Sequence, residues 1–148
     1  MKAWIQRVAR ASVTIDGARV AEIGQGYLVL LGITHTDTEA EADKIASRLP
    51  VLRLFTDAND QMNLSLEDVG GSIIVVSQFT LYADCRKGNR PSFIHSGSPQ
   101  RAEELYDYIV RRCRESGVPV ETGEFGADMK VALVNDGPFT IWLDSAEL

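Results

Sequence analysis

Histidine, cysteine and long apolar runs are scarce in this 148-residue sequence, and each scarcity closes off a class of function. The only cysteines are Cys85 and Cys113, without CxxC spacing, so neither a disulfide framework nor a thiolate zinc site is expected. The two histidines, His35 and His95, stand far apart, and no His/Cys/carboxylate cluster has ligand spacing. No metal and no other cofactor is therefore expected. Neither GxGxxG nor a GxxxxGKS/T phosphate loop is present, which removes the usual dinucleotide and nucleoside-triphosphate sites. The G-x-S-x-G elbow of α/β hydrolases is missing as well. No apolar run approaches the roughly 18 residues of a membrane span. Met1–Arg7 reads as strand, not as the apolar stretch of a signal peptide, so the expected setting is the reducing cytoplasm, with no membrane partner. The formal net charge of −6 argues against a surface that grips DNA by its phosphates, though not against a pocket for a short nucleic-acid end. Two basic groups do occur, Arg86, Lys87 and Arg90, and Arg111, Arg112 and Arg114; the second reads as a solvated helix face.

What is present is ordinary globular sequence, 45% hydrophobic and 24% charged, without repeats or linkers. One domain spanning 1–148 is expected, burying roughly 68–70% of its unfolded surface. Trp4–Arg7, Ser12–Ile15 and Arg19–Ile23 are strand-like, with Asp16-Gly17 as a turn. Tyr27–Ile33 is almost unbroken apolar sequence, suited to a central strand buried on both faces. Thr38 with Glu41 fits a capping box for a helix reaching about Arg48, with Ala42, Ile45, Ala46 and Leu49 inward and Pro50 as the stop. Val51–Phe55 is expected to return as a strand, and Ser72–Tyr82 is the strongest strand signal. A second helix is marked by Ser98, Pro99 and Gly117, with Ala102, Leu105, Ile109 and a buried Cys113 along one face. Val118–Thr122, Met129–Val134 and Phe139–Leu143 complete the sheet. The expected class is α+β, with largely antiparallel, barrel-like sheets covered by two main helices.

Two segments break the pattern. The aliphatic strand from Ile73 suddenly carries Ser77, Gln78 and Thr80 at its exit, then runs into the polar loop Ala83–Phe93. Polar groups where a strand opens onto a long loop commonly build ligand sites, although simple half-exposure of the strand produces the same pattern. The other segment is Asn135-Asp136-Gly137-Pro138-Phe139-Thr140, between two hydrophobic runs. Proline breaks the ladder and glycine admits close approach to the main chain. Taken alone, Asn-Asp-Gly reads as a hairpin turn; the alternative is a main-chain device aimed at a ligand.

Together, Ser77-Gln78-Phe79-Thr80-Leu81 and Asn135–Thr140 resemble the signature pair of the D-aminoacyl-tRNA deacylases, with 54 positions from Leu81 to Asn135. Ile5-Gln6-Arg7-Val8 and Phe125–Met129 are also similar to that family, and the likeness runs the length of the chain. It implies a homodimeric cytoplasmic enzyme that binds the acceptor end of aminoacyl-tRNA and hydrolyses the ester to a D-amino acid. It further implies a cis Gly137–Pro138 peptide entering the partner subunit's site, whose main-chain oxygens exclude L-amino acids. Ser77, Gln78, Phe79 and Thr80 would line the catalytic pocket, and Arg7 would hold the gate.

A gate that meets Cα without touching the side chain rejects by handedness and tolerates many amino acids. Glycine has nothing to clash, so glycyl-tRNA is expected to be a substrate. Thr80 or Ser77 could be a hydroxyl nucleophile, but that requires a base within reach, and a regular strand would point them to opposite faces. The alternative is positioning, with main-chain N–H groups stabilising the oxyanion and, by resemblance, the tRNA 2′-hydroxyl taking part. Competing readings are a non-catalytic tRNA-end binding module, a small-ester hydrolase with a covalent intermediate, and a purely structural domain.

Overall fold

The structure is a computed structural model that describes residues 1–148. Eight strands and three α-helices follow in the order β1 (Lys2–Ile15), β2 (Ala18–Ile23), β3 (Gly26–Gly32), α1 (Glu39–Arg48), β4 (Phe55–Thr56), β5 (Met62–Leu64), α2 (Leu66–Val69), β6 (Ser72–Ser77), α3 (Pro99–Glu115), β7 (Val120–Thr122) and β8 (Lys130–Asp144). The main sheet runs β2-β1-β3-β6-β7, with β8 on the other side of β1, while β4 and β5 form a separate ribbon. Pairings of β1 with β2, β3 and β8 are antiparallel, and those of β3–β6 and β6–β7 are parallel. The sheet curls until the backbone N–H of Glu22 on β2 donates to the Glu121 carboxylate on β7 at 3.2 Å. The class is thus α+β with a nearly closed, barrel-like sheet. No helix is long and apolar enough to cross a membrane.

Strand alternation divides the core in two. Tyr27, Val29 and Leu31 of β3, with Ile73 and Val75 of β6, face α1 and α3 and pack on Ile45, Leu49, Leu105, Ile109 and Cys113. Leu28, Ile74 and Val76 point the other way, into a smaller cluster with Val8, Val13 and Ile23 inside the curl. The central pair is therefore buried on both faces, which is why its sequence is nearly continuous aliphatic.

The expected caps form. Thr38 and Glu41 make the reciprocal capping box of α1, and Gly117, at φ +91°, follows the end of α3. Ser98 occupies the N-cap position of α3 without a side-chain cap bond. Four expectations need correction. Trp4–Arg7 and Ser12–Ile15 are one strand; irregular register around Arg7 and Ala9 flips its inward face and mimics a break. Val51–Phe55 does not return as a strand: Val51 is exposed, and only Phe55–Thr56 pairs, with β5. Ser72–Tyr82 is strand only to Ser77, and Phe79–Tyr82 winds into a 3-10 turn.

The fourth correction concerns Gly137-Pro138. Residues 130–135 pair with β1 from Thr14 back to Val8, and residues 140–144 continue along the same β1 from Gln6 to Lys2. The chain does not reverse, so the segment is no hairpin. Residues 136–139 loop out of one continuous strand as a long bulge opposite Arg7.

Candidate active site

The 3-10 turn after β6 lies directly against β3. The N–H of Gln78 still donates to the carbonyl of Leu31 at 2.8 Å, and then the backbone turns away. Gly32 makes room for this: a Cβ there would sit 2.9 Å from Cβ of Leu81 and 3.3 Å from the Gln78 carbonyl. At the start of such a turn the N–H groups of Phe79 and Thr80 have no acceptor within the turn.

This exit forms one wall of a cleft of about 620 Å³. Val76 and Ser77 line it from the end of β6, Gln78 and Phe79 from the start of the 3-10 turn, Phe125–Met129 from the approach to β8, and Pro99 and Ala102 from the first turn of α3. Phe93, Ser96 and Gly97 close a further side. The rings of Phe79 and Phe93 meet edge to face at 5.0 Å, and Ser96 Oγ donates to the Phe79 carbonyl at 3.0 Å. The lining is mostly apolar with a few hydroxyl, amide and main-chain groups, the usual make-up of a small-molecule site. Asp128 is its one ionisable side chain, and that carboxylate is exposed and paired with Lys130 at 3.1 Å.

The expected residues divide into two places. Ser77, Gln78 and Phe79 share the cleft. Thr80 does not line it; its hydroxyl is exposed and accepts a hydrogen bond from the Gln78 amide. Neither histidine is in the wall: Nε2 of His35 donates to the Ile94 carbonyl at 2.7 Å, and Nε2 of His95 lies 3.5 Å from Asp84. No acid–base partner for a hydroxyl nucleophile stands in the cleft. What the arrangement can do is enclose an apolar group, orient an ester and offer main-chain donors.

Gly137, Pro138 and Arg7 form the second place. The Gly137–Pro138 peptide is cis, and residues 136–138 are exposed. Asn135 closes the bulge by accepting from Phe139 N–H at 2.7 Å and donating to its carbonyl at 3.2 Å, so a side chain replaces the missing ladder partner. Arg7 clamps it from β1. Its Nε donates to the Asp136 carbonyl at 2.9 Å, one terminal nitrogen donates to the Leu54 carbonyl at 2.6 Å, and the guanidinium lies 4.4 Å from the Phe139 ring centre. Behind it, Tyr27 stacks on Phe55 at 5.3 Å and donates to the Leu52 carbonyl at 3.2 Å; burial pushes its phenol well above the ordinary range. At Gly137 a Cβ would fall 2.5 Å from the Phe139 nitrogen, so the bulge has room for glycine only.

Gly137 and Pro138 are absent from the cleft wall of their own chain. Both places are marked in the sequence, but nothing in it marks Phe93, Ser96 or Gly97 as wall residues. The stretch Phe125–Met129 is marked there only by its resemblance. The Leu54 carbonyl, as a backbone acceptor, leaves no trace in side-chain identity.

The chain matches the family model described as D-Tyr-tRNA(Tyr) deacylase over residues 4–144. A D-aminoacyl-tRNA deacylase of Thermomicrobium roseum is 59% identical over 148 residues, covering 100% of this chain and 96% of that protein. One of Paracoccus denitrificans is 54% identical over 147 residues, covering 99% of each. Among solved structures, a c-Myc DNA Unwinding Element Binding Protein is 40% identical with a TM-score of 0.91, covering 97% of this chain and 98% of its own. A probable eukaryotic D-amino acid tRNA deacylase, 18% identical, superposes with a TM-score of 0.82 over 96% of this chain and 97% of its own, a likeness of fold.

Proposed function

The chain belongs to the D-Tyr-tRNA(Tyr) deacylase family, an enzyme family, and from that premise we propose that it proofreads chirality as a homodimer in the cytoplasm. Its activity is that of a D-aminoacyl-tRNA deacylase. The proposed reaction cleaves the ester between a D-amino acid, or glycine, and the terminal ribose of its tRNA, releasing both. Residues 1–148 act as one domain.

The observation that carries this reading is the position of the Gly137-Pro138 bulge. It projects from the surface, is held by Arg7 and Asn135, and lies outside its own cleft. A main-chain gate in that position serves a second copy of the chain. Several features support a second copy covering this face. β8 is an outer strand of 15 residues, and the side chains of Trp4, Val134 and Trp142 on the β1–β8 face are more than a third exposed. The two indoles already meet edge to face at 5.3 Å.

In the dimer, the cleft of one subunit encloses the terminal adenosine and aminoacyl group against Phe79, Phe93 and Phe125. The partner's bulge presents the main-chain oxygens of Gly137 and Pro138 to Cα. A D-residue turns its hydrogen toward them, whereas an L-residue turns its side chain and is refused. Main-chain N–H groups at Phe79 and Thr80 face the developing oxyanion, and the tRNA 2′-hydroxyl helps to activate water. An aminoacyl ester is already activated, so orientation does most of the work.

The test pairs substrate with subunit. Purified protein incubated with D- and L-tyrosyl-tRNA should release only D-tyrosine. A Pro138→Ala protein and a cleft-blocked Ala102→Trp protein, each defective alone, should regain selective turnover when mixed and allowed to exchange subunits. Absence of turnover with the D-ester removes the enzymatic reading; selective turnover without complementation removes the cross-subunit gate.

A further inference from the structure

The active-site cleft has a neighbour that its chemistry does not use. A second cleft, of about 590 Å³, opens at the other end of the 79–82 turn, with Lys2, Tyr82, Asp84, Arg86 and His95 in its wall. Phe79 lines the first cleft and Tyr82 the second, so a single turn of backbone separates them. Lys2 Nζ lies 4.5 Å from the centre of the Tyr82 ring.

Above this cleft stands a closed loop. Asp84 and Ser92 exchange both main-chain hydrogen bonds, at 2.7 and 2.9 Å, and the residues between them form a projecting tip. That tip carries Arg86, Lys87 and Arg90 and no acid, in a chain with 21 acidic and 15 basic side chains. Lys87 and Arg90 are exposed and take part in no ion pair. The acid at the base of the loop is Asp84. Its carboxylate accepts from Arg86 at 2.9 and 2.7 Å, which fixes the guanidinium but leaves that side chain 82% exposed. The loop is also tied to the active site. Phe93 and Ser96 contact Phe79, and Thr34 and His35 bond the carbonyls of His95 and Ile94.

An acidic protein has thus gathered two unpaired cations, Lys87 and Arg90, a third held on Asp84, and an aromatic ring beside its active-site cleft. Cations that track a backbone, with rings for bases to lie on, are the usual equipment for single-stranded nucleic acid. On the deacylase reading, we propose that this second cleft and its loop hold the unpaired 3′ strand of the tRNA just before the esterified nucleotide. Lys2, Arg86, Lys87 and Arg90 take its phosphates, and a base lies against Tyr82. The shared 79–82 turn then couples placement of the strand to placement of the ester.

The test compares D-tyrosyl-tRNA with D-tyrosyl-adenosine, which carries the same ester and no phosphates. The variant R86A/K87A/R90A should raise KM for the tRNA by about tenfold or more and leave kcat/KM for the adenosine ester within about twofold. The slope of log KM against log salt should flatten by about 2, at about 0.7 per single-strand phosphate contact. R86K/K87R/R90K should retain the wild-type slope, and Tyr82→Phe should bind deacylated tRNA better than Tyr82→Ala. An unchanged KM and slope in the alanine variant, with wild-type turnover of both esters, would overturn the cleft assignment alone. If the wild-type protein cleaves neither ester, the deacylase reading fails and this assignment falls with it.

Discussion

Arg7 and Asp136 lie 129 positions apart in the chain and are joined by a 2.9 Å hydrogen bond from the Arg7 guanidinium to the Asp136 carbonyl. That bond, with the one to Leu54, ties the bulge in β8 to the loop preceding β4 through a single side chain on β1.

Arg7→Ala should therefore loosen the bulge before it unfolds the protein. Charge-assisted hydrogen bonds of this kind contribute about 2 kcal/mol each, so urea unfolding should register a loss of about 2–4 kcal/mol. Selectivity should fall further: hydrolysis of L-tyrosyl-tRNA should rise by about tenfold or more relative to the D-ester. Arg7→Lys should recover little, because one ammonium nitrogen cannot stand at both the Nε and the terminal-nitrogen positions from which arginine reaches the two carbonyls. Unchanged D/L ratios in both variants would dissociate Arg7 from the gate.

A purely steric gate makes glycyl-tRNA a substrate, since glycine presents a hydrogen in either orientation. Single-turnover assays with excess enzyme should show glycyl-tRNA cleaved and L-alanyl-tRNA spared. Protection of both would mean that the gate reads more than the presence of a side chain.

Thr80→Ala should retain substantial activity, within about tenfold of wild type, because no base stands beside the hydroxyl. Its partner is the Gln78 amide, a donor that cannot remove a proton. Rapid-quench kinetics should reveal no acyl-enzyme burst. Near-complete inactivity in a protein with native circular dichroism would restore the nucleophile mechanism.

The two thiols should report folding separately. Burial pushes the Cys113 thiol up to about 11, so at pH 8 it is both enclosed and protonated, whereas Cys85 is exposed. An aromatic disulfide reagent at pH 8 should titrate one thiol in the native protein and two in guanidinium. Because only thiolate reacts, raising the pH toward 11 should speed Cys113 modification more than unfolding alone explains. Immediate reaction of both thiols in the native state would place Cys113 outside the core.

The parts of the fold legible in the sequence are those fixed by neighbours along the chain. The Thr38–Glu41 box, Pro99 opening α3 and the inward face from Leu105 to Cys113 depend on spacings of three or four residues. Strand boundaries depend on distant partners. The β1 register slip is decided by β8, and Ser72–Tyr82 ends early because its last residues fold onto Gly32 of β3. The hairpin reading of the bulge fails for the same reason, since Asn-Asp-Gly looks alike whether the next run pairs with the last one or with a third strand. Ser77–Phe79 and Gly137–Pro138 stood out chemically. The remaining cleft walls, from Phe93 to Gly97 and Phe125 to Met129, come together only when three segments meet.

The looped-out residues 136–139 carry no ladder pairing, while both flanking arms are registered on one strand. Their number is set not by the ladder but by the bulge's own bonds: Asn135 reaches both main-chain groups of Phe139, and Arg7 holds the Asp136 carbonyl. The bulge is thus a unit with its own closure, set between two arms that each keep their own register on β1. Substitutions at the exposed residues 136–138 would therefore change what the bulge presents, while Phe139 anchors it on the core.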